Sequence, residues 1–260
     1  MTAPTRGKSE TDDPAKGERI AKRLARAGVC SRREAERWIA QGRVSVDGVT
    51  LKTPAVIVTE DSKIIADGKE IGAPERARLW RYHKPKGLLC TARDPQGRPT
   101  VFENLPPNMP RVLTIGRLDL SSEGLLLLTN DGEIKRHLEL PATGWVRRYR
   151  ARVFGKVDEE KLKSLKRGIT IADVRYGPIE ARLERQTASN AWVSVALTEG
   201  KNREVRRVLE HVGLKVNRLI RTAYGPFQLG KLAQGAVDEV PGKVLREQLG
   251  AGLAVKQKRR

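Results

Sequence analysis

The chain is poor in the residues that build disulfide scaffolds, metal centres and membrane anchors. Its 260 residues include only two cysteines, Cys30 and Cys90, too few for a disulfide framework and without metal-site spacing. The three histidines, His83, His137 and His211, are as scattered. No metal is expected. No apolar run approaches the roughly 18 residues that a membrane-spanning helix needs. The opening stretch, MTAPTRGKSETDDPAKG, lacks the apolar core of a secretory signal. A soluble, cytoplasmic protein is the expectation. Acidic residues are also in deficit, 31 Asp and Glu against 51 Lys and Arg, for a formal charge of +20. A polyanion, most often nucleic acid, suits such a surplus; an anionic membrane surface or plain solubility would account for it too.

What is present divides the chain. Residues 1–16 are polar, contain two prolines and read as a disordered tail. From Glu18 a small module begins. ERIAKRLARAG reads as a helix with Ile20, Leu24 and Ala27 on one face and Gly28 as its stop. Ser31 opens a second helix, with Glu34 three residues on as a capping box and Ala35, Trp38 and Ile39 as its stripe. Asp47-Gly48 between valines is a hairpin signal, and Asp67-Gly68 makes a second turn. The basic residues Arg19, Lys22, Arg23 and Arg26 crowd the first helix, and Arg32, Arg33, Arg37 and Arg43 surround the second. Such a helical hairpin is shaped to lie along phosphates, although an ordinary solvated surface has the same composition.

Gly72–Pro74 and the charged residues after it form a linker. Beyond it, Leu79 to Tyr82 reads as a strand, Lys84-Pro85-Lys86-Gly87 as a rigid turn, and Leu88–Cys90 as a further apolar strand. The Pro-rich residues 91–111 form a long loop with a short helix near Val101–Leu105. Then comes VLTIGRLDLSSEGLLLLTNDG. Leu118 and Leu120 alternate with Arg117, Asp119 and Ser121, as in an extended segment. An aspartate between core leucines is costly unless paired or facing a cleft. Spacing alone leaves both readings open: Asp119 pairs with Arg117 or caps a turn at Ser121–Ser122, or it serves a cleft. Ile134 and Leu138 mark a short helix ended by Pro141. VRRYRARVFG alternates as a half-buried strand with Tyr149, Ala151 and Val153 on one face, and a single tyrosine there is by default a core-edge aromatic. Asp158 to Arg167 reads as an amphipathic helix, and residues 169–186 and 191–200 as strands of one antiparallel sheet. In EGKNREVRRVLEHVG, Asn202 caps a helix whose stripe is Val205, Val208, Leu209 and Val212. Arg206 lies just off that stripe and has Glu210 at i+4.

The seventeen residues GRLDLSSEGLLLLTNDG closely resemble the catalytic motif of the RsuA/RluB-type ribosomal RNA pseudouridine synthases. Ser122 stands where many members have threonine. The resemblance continues in KPKG, in the Arg147–Phe154 strand and in EGKNREVRR, and extends through VNRLIRTAYGPFQLGKLAQG. RIAKRLARAGVCSRREAERWIAQGRVSVDG resembles the S4 RNA-binding domain, with Asp47 at a turn position where asparagine is more usual. The resemblance implies an α+β protein. An S4 domain of helical hairpin and short strands over 17–72 would precede a synthase domain over 78–249, built on a bent, mainly antiparallel sheet with flanking helices. A basic tail over 250–260 would end it.

The implied activity is the isomerisation of uridine to pseudouridine in ribosomal RNA, without cofactor. It also implies roles for single residues: Asp119 as the essential catalytic residue, Arg206 as its ion-pair partner, and Tyr149 stacked on the uracil. Lys84, Arg117, Lys201, Arg203 and Arg207 would join the S4 arginines in binding RNA. The KNRE form of the last motif resembles the 23S rRNA enzymes of the RluB type more than the 16S enzymes, which stand as the alternative beside a non-catalytic RNA-binding or ribosome-assembly protein. Ribosomal RNA is the expected partner, with no membrane and no obligate protein partner, and a monomer is expected.

Overall fold

A computed structural model describes residues 17–250; the expected N-terminal tail and all but the first residue of the expected C-terminal tail lie outside the described residues. Chain contacts divide it between Arg76 and Ala77. Among the described residues no helix is long and apolar enough to cross a membrane.

In the first unit, β1 (Glu18–Arg19) pairs with β4 (Ile57–Val58), and α1 (Ile20–Arg26) and α2 (Arg32–Ala40) form the helical hairpin. Ser31 caps α2 by accepting the Glu34 N–H at 3.1 Å. Two hairpins follow, β2 (Val44–Val46) with β3 (Val49–Thr50) and β5 (Ile64–Ala66) with β6 (Lys69–Glu70). They merge into one sheet of order β3-β2-β5-β6. Both turns place an aspartate and a glycine at positive φ, 51° and 83° at Asp47-Gly48 and 52° and 74° at Asp67-Gly68. That is the backbone twist that tight hairpins require. Ile20, Leu24, Ala35, Ile39, Val44 and Ile64 form the core.

The second unit is built on a sheet of order β13-β14-β10-β15-β9-β7-β17. In chain order its strands are β7 (Leu79–Lys84), β8 (Leu113–Ile115), β9 (Glu123–Thr129), β10 (Arg147–Phe154), β13 (Ile179–Thr187), β14 (Asn190–Leu197), β15 (Lys215–Tyr224), β16 (Phe227–Gln228) and β17 (Val237–Glu239). β8 adds to β9 and β16 to β15. Every pairing is antiparallel except β15 with β9, where Ile220 meets Glu123 and Arg221 meets Gly124. At that junction Gly124 has φ +106°, and a Cβ there would stand 2.6 Å from the Arg221 backbone nitrogen. Glycine is therefore the residue that lets the two halves of the sheet meet.

Helices α3 (Gly132–Glu139), α4 (Glu159–Ser164), α5 (Glu204–His211) and α6 (Gly242–Leu249) flank the sheet. Asp131 caps α3 and Asp158 caps α4 through N–H groups of their first turns. α4 and α5 cover one face of β13, β14, β10 and β15, burying Ala151, Val153, Leu162, Val193, Val195 and Leu209. β9 is buried on both faces. Leu126 and Leu128 pack with Tyr82, Val101 and Leu118, while Leu125 and Leu127 pack with Ile134, Leu138 and Leu245. The α+β architecture expected from the sequence is present.

Three local expectations are corrected. Leu88–Cys90 is not a strand but the stretch after the KPKG turn, joined to Thr100 by one bridge at Leu89. β11 (Ile169–Ile171) and β12 (Val174–Tyr176) form their own two-stranded sheet, because the turn at Ala172 and Asp173 folds them on each other. Asn202 does not cap α5; Arg203 holds the cap position at φ 51°, and the Lys201 N–H bonds to the Glu204 carboxylate at 2.8 Å.

Candidate active site

β8 ends at Ile115, Gly116 turns the chain at φ +65°, and β9 begins at Glu123. The six residues between form a polar turn, not the extended segment that alternation predicts. Leu118 is buried among Val101, Val112 and Leu126, but Leu120 is 40% exposed. The turn has few bonds of its own, the Ser122 N–H donating to the Asp119 carbonyl at 3.0 Å. Its shape is imposed from outside. The Lys84 ammonium donates to the carbonyls of Asp119 at 3.2 Å and Ser122 at 2.9 Å. The Gly87 N–H takes the Leu120 carbonyl at 2.8 Å. Arg206 Nη2 takes that of Ser121 at 3.1 Å. Cys90 Sγ lies 3.4 Å from the Leu118 carbonyl. Five successive carbonyls are thus held, and the Asp119 side chain, one-third exposed, projects from a fixed backbone.

This geometry corrects the expectation for Arg206. Its guanidinium is buried and spans two carbonyls, Ser121 and Val216, the latter at 2.9 Å. It makes no ion pair with the Asp119 carboxylate; its two Nη groups are taken by the Ser121 carbonyl of the turn and the Val216 carbonyl of β15. Burial lowers its pKa, Arg203 adds to that, and the fields of Asp119 and Glu210 oppose it. The cation nearest the carboxylate is Arg203, with Nη1 3.9 Å from Asp119 Oδ2. Non-glycine residues at positive φ, such as Arg203, concentrate at functional sites.

Asp119 opens on a cleft of about 450 Å³ whose lining includes Arg117, Tyr149, Lys201, Arg203 and Arg221. Tyr149 reaches it from β10, half-buried, because strand alternation sends it to the same side as Arg147 and Ala151. Arg147 and Arg221 were not singled out in the sequence. Arg147 is buried, donating to the Trp145 and Thr198 carbonyls and, at 2.8 Å, to the Tyr224 hydroxyl. That hydroxyl donates in turn to the Leu138 carbonyl at 2.7 Å. Arg221 Nε donates to the Leu125 carbonyl at 2.7 Å, and its Nη2 is buried without a partner among the described residues. Inward-facing positions on two alternating strands were the available signal for both. Glu204 also lines the cleft, and burial pushes its carboxyl above the ordinary range.

Two residues expected to bind RNA do not face solvent. Lys84 is fully buried, and its third bond goes to the Pro85 carbonyl at 3.0 Å, so its charge is spent on the turn. Burial lowers its pKa, with Cys90, Asp119 and Glu123 opposing. Arg23 is 5% exposed, and burial lowers its pKa. It sits three residues after Ile20, on the buried stripe. Arg26 is tied to Glu18 at 2.8 Å. Arg19, Arg32, Arg33, Arg37 and Arg43 are exposed, with Arg43 paired to Asp67 and stacked on Trp38. Lys22 is half-buried. Arg117, Lys201, Arg203 and Arg207 are exposed; Lys201 pairs with Glu199 at 2.6 Å, and Arg207 reaches the Tyr176 hydroxyl at 3.5 Å.

The cleft thus sets a pinned aspartate beside a tyrosine and several cations on a mixed sheet, in a chain whose first unit is a basic helical hairpin with short strands. The family model for RNA pseudouridylate synthases matches residues 78–211, and that for the S4 domain residues 18–64. The chain is 47% identical over 230 residues to an uncharacterized RNA pseudouridine synthase of Rickettsia felis, covering 88% of this chain and all of that one. It is 47% identical over 224 residues to the ribosomal large subunit pseudouridine synthase B of Yersinia pestis, covering 83% and 70%. A crystal structure of a pseudouridylate synthase superposes with a TM-score of 0.61 at 25% identity, covering 89% of this chain and 99% of that one. The chain belongs to the RNA pseudouridylate synthase family and carries an S4 domain.

Proposed function

We propose that this protein converts one uridine of ribosomal RNA to pseudouridine, that the RNA is 23S rRNA, and that Asp119 carries the chemistry. The reaction breaks the N1–C1′ bond, turns the uracil and joins C5 to C1′; the proton lost from C5 is balanced by one gained at N1. Asp119 acts at the sugar, as nucleophile or base, from its place at the cleft mouth. Tyr149 stacks on the uracil, contributing roughly 1–3 kcal/mol towards the few kcal/mol that base flipping costs. Arg206 is a positioning residue, acting on Asp119 through the Ser121 carbonyl. Arg203 and Lys201 meet the phosphates of the flipped nucleotide.

The observation that carries the reading is the turn itself: five carbonyls held from outside, leaving one carboxylate aimed into a basic cleft. The choice of 23S rRNA is supported by the likeness to the Yersinia pestis enzyme, named for the large subunit, and by the KNRE motif.

The test is pseudouridine mapping on unmodified 16S and 23S transcripts after incubation with wild type and with Asp119→Asn. New pseudouridine at one 23S position with the wild type alone is expected, with RNA binding retained by the variant. Modification of 16S rRNA alone would move the target. Undiminished turnover by Asp119→Asn would remove Asp119 from the mechanism. Tight binding with no modification of either RNA would favour a non-catalytic RNA-binding role.

A further inference from the structure

The half of the sheet made of β13, β14, β10 and β15 has a second face. Strand alternation that sends Tyr149 and Ala151 to the cleft and core sends Arg148, Arg150, Arg152 and Phe154 the other way. Register aligns Arg150 with Ser194 and Arg182, and Arg152 with Trp192, Arg185 and Arg218. One row across four strands therefore reads Arg185, Trp192, Arg152, Arg218. Against these six arginines stand Glu180, Glu184 and the buried Glu123. Arg150 pairs with Glu184 at 2.7 Å and Arg218 with Glu123 at 2.6 Å. Arg148, Arg152, Arg182 and Arg185 are exposed, and their side chains take no hydrogen bond or ion pair among the described residues.

A water-facing antiparallel sheet needs only polar residues. Directly opposed like charges, here Arg152 and Arg218, weaken it. A polyanion relieves that repulsion, and guanidinium groups match phosphate geometry. Phe154, 51% exposed, ends the same strand, and Arg150 lies 4.8 Å over the Trp192 ring. Arginines beside an exposed ring on an open sheet suit RNA that carries unpaired bases.

We infer that this outer sheet face is a second RNA-binding surface of the synthase domain. It holds a tract of the substrate RNA remote from the reacting uridine, through phosphate contacts to Arg148, Arg152, Arg182 and Arg185 and a base stacked on Phe154. The inference rests on the reading of RNA as substrate. The face is turned away from the cleft, so it governs affinity for long RNA and leaves chemistry on a short one untouched.

The experiment compares the full chain with the triple variant Arg148→Glu, Arg152→Glu, Arg182→Glu. The probes are full-length 23S transcript and a short hairpin centred on the mapped uridine. The variant is expected to lose roughly tenfold or more in transcript affinity, with a shallower dependence on salt, while hairpin turnover is unchanged. Lysine at the same three positions should restore affinity, which separates charge from folding. Should glutamate unfold the sheet, glutamine replaces it in the same comparison. Unchanged transcript affinity and salt slope would overturn the inference, as would an equal loss on hairpin and transcript. If the wild type modifies no uridine, the proposed function fails, while transcript affinity and salt slope still decide this one.

Discussion

Arg206 reaches Asp119 only through the backbone, by way of the Ser121 carbonyl. Its fork holds the Ser121 and Val216 carbonyls from a buried position. A lysine offers one ammonium and no fork. Arg206→Lys should therefore lose most turnover and roughly 1–3 kcal/mol of stability as a buried carbonyl goes unmet. Arg207→Ala, on the exposed side of α5, should stay near wild type in both. Single-turnover rates and denaturant titrations check the pair; a silent Arg206 with an inactive Arg207→Ala would reverse the assignment. Of the residues that line this cleft, the motifs singled out Arg117, Asp119, Tyr149, Lys201 and Arg203 but not Arg147 or Arg221, and they did not reveal which groups each side chain holds. Arg206 was expected against the carboxylate and Lys84 against RNA, and both grip backbone instead. A carbonyl leaves no mark in a sequence, and those of the Asp119 turn that Lys84 and Arg206 hold lie 35 to 85 positions from them.

Among the elements, those set by local chemistry were readable. Asp-Gly pairs gave both hairpins, and Ser31 gave the α2 start, because the residues concerned are near neighbours in the chain. The β9–β15 pairing joins residues nearly a hundred positions apart and could not be read. It depends on Gly124. Gly124→Ala combines a strained φ with a backbone clash at Arg221 and should cost about 3 kcal/mol or more. Gly132→Ala, where a Cβ meets nothing within 4 Å, should change stability by less than about 1 kcal/mol. Urea unfolding of the two variants tests the contrast.

For the whole molecule, the surplus of twenty positive charges lies mostly in the larger unit: residues 1–76 hold 15 Lys and Arg against 12 Asp and Glu, and residues 77–260 the other 36 against 19. The small one carries its own core of Ile20, Leu24, Ile39 and Ile64, and the larger one three clusters around its sheet. Removing residues 1–72 should therefore spare the folding of the remainder and weaken RNA binding, with a shallower salt dependence because fewer phosphates are neutralised. Unchanged affinity in the truncated protein would deny the S4 domain its role. The charge sum was legible from composition. Its distribution was legible in part, since alternation along β10 sets Arg148, Arg150 and Arg152 on the face opposite Tyr149, whereas the burial of Arg23 and Lys84 emerges only on folding.

The turn that carries Asp119 is held by Lys84 and Gly87 before it and by Arg206 after it, and Arg206 is itself held by Val216. Together these tethers fix the backbone from which the carboxylate projects. During synthesis, then, the reactive group is made long before it is placed. A nascent chain halted after Gly132 would contain the entire GRLD motif and no active site. Competence should arise only when the chain has been released to Val216 and beyond, once α5 docks, so that a half-made enzyme poses no hazard to the RNA around it.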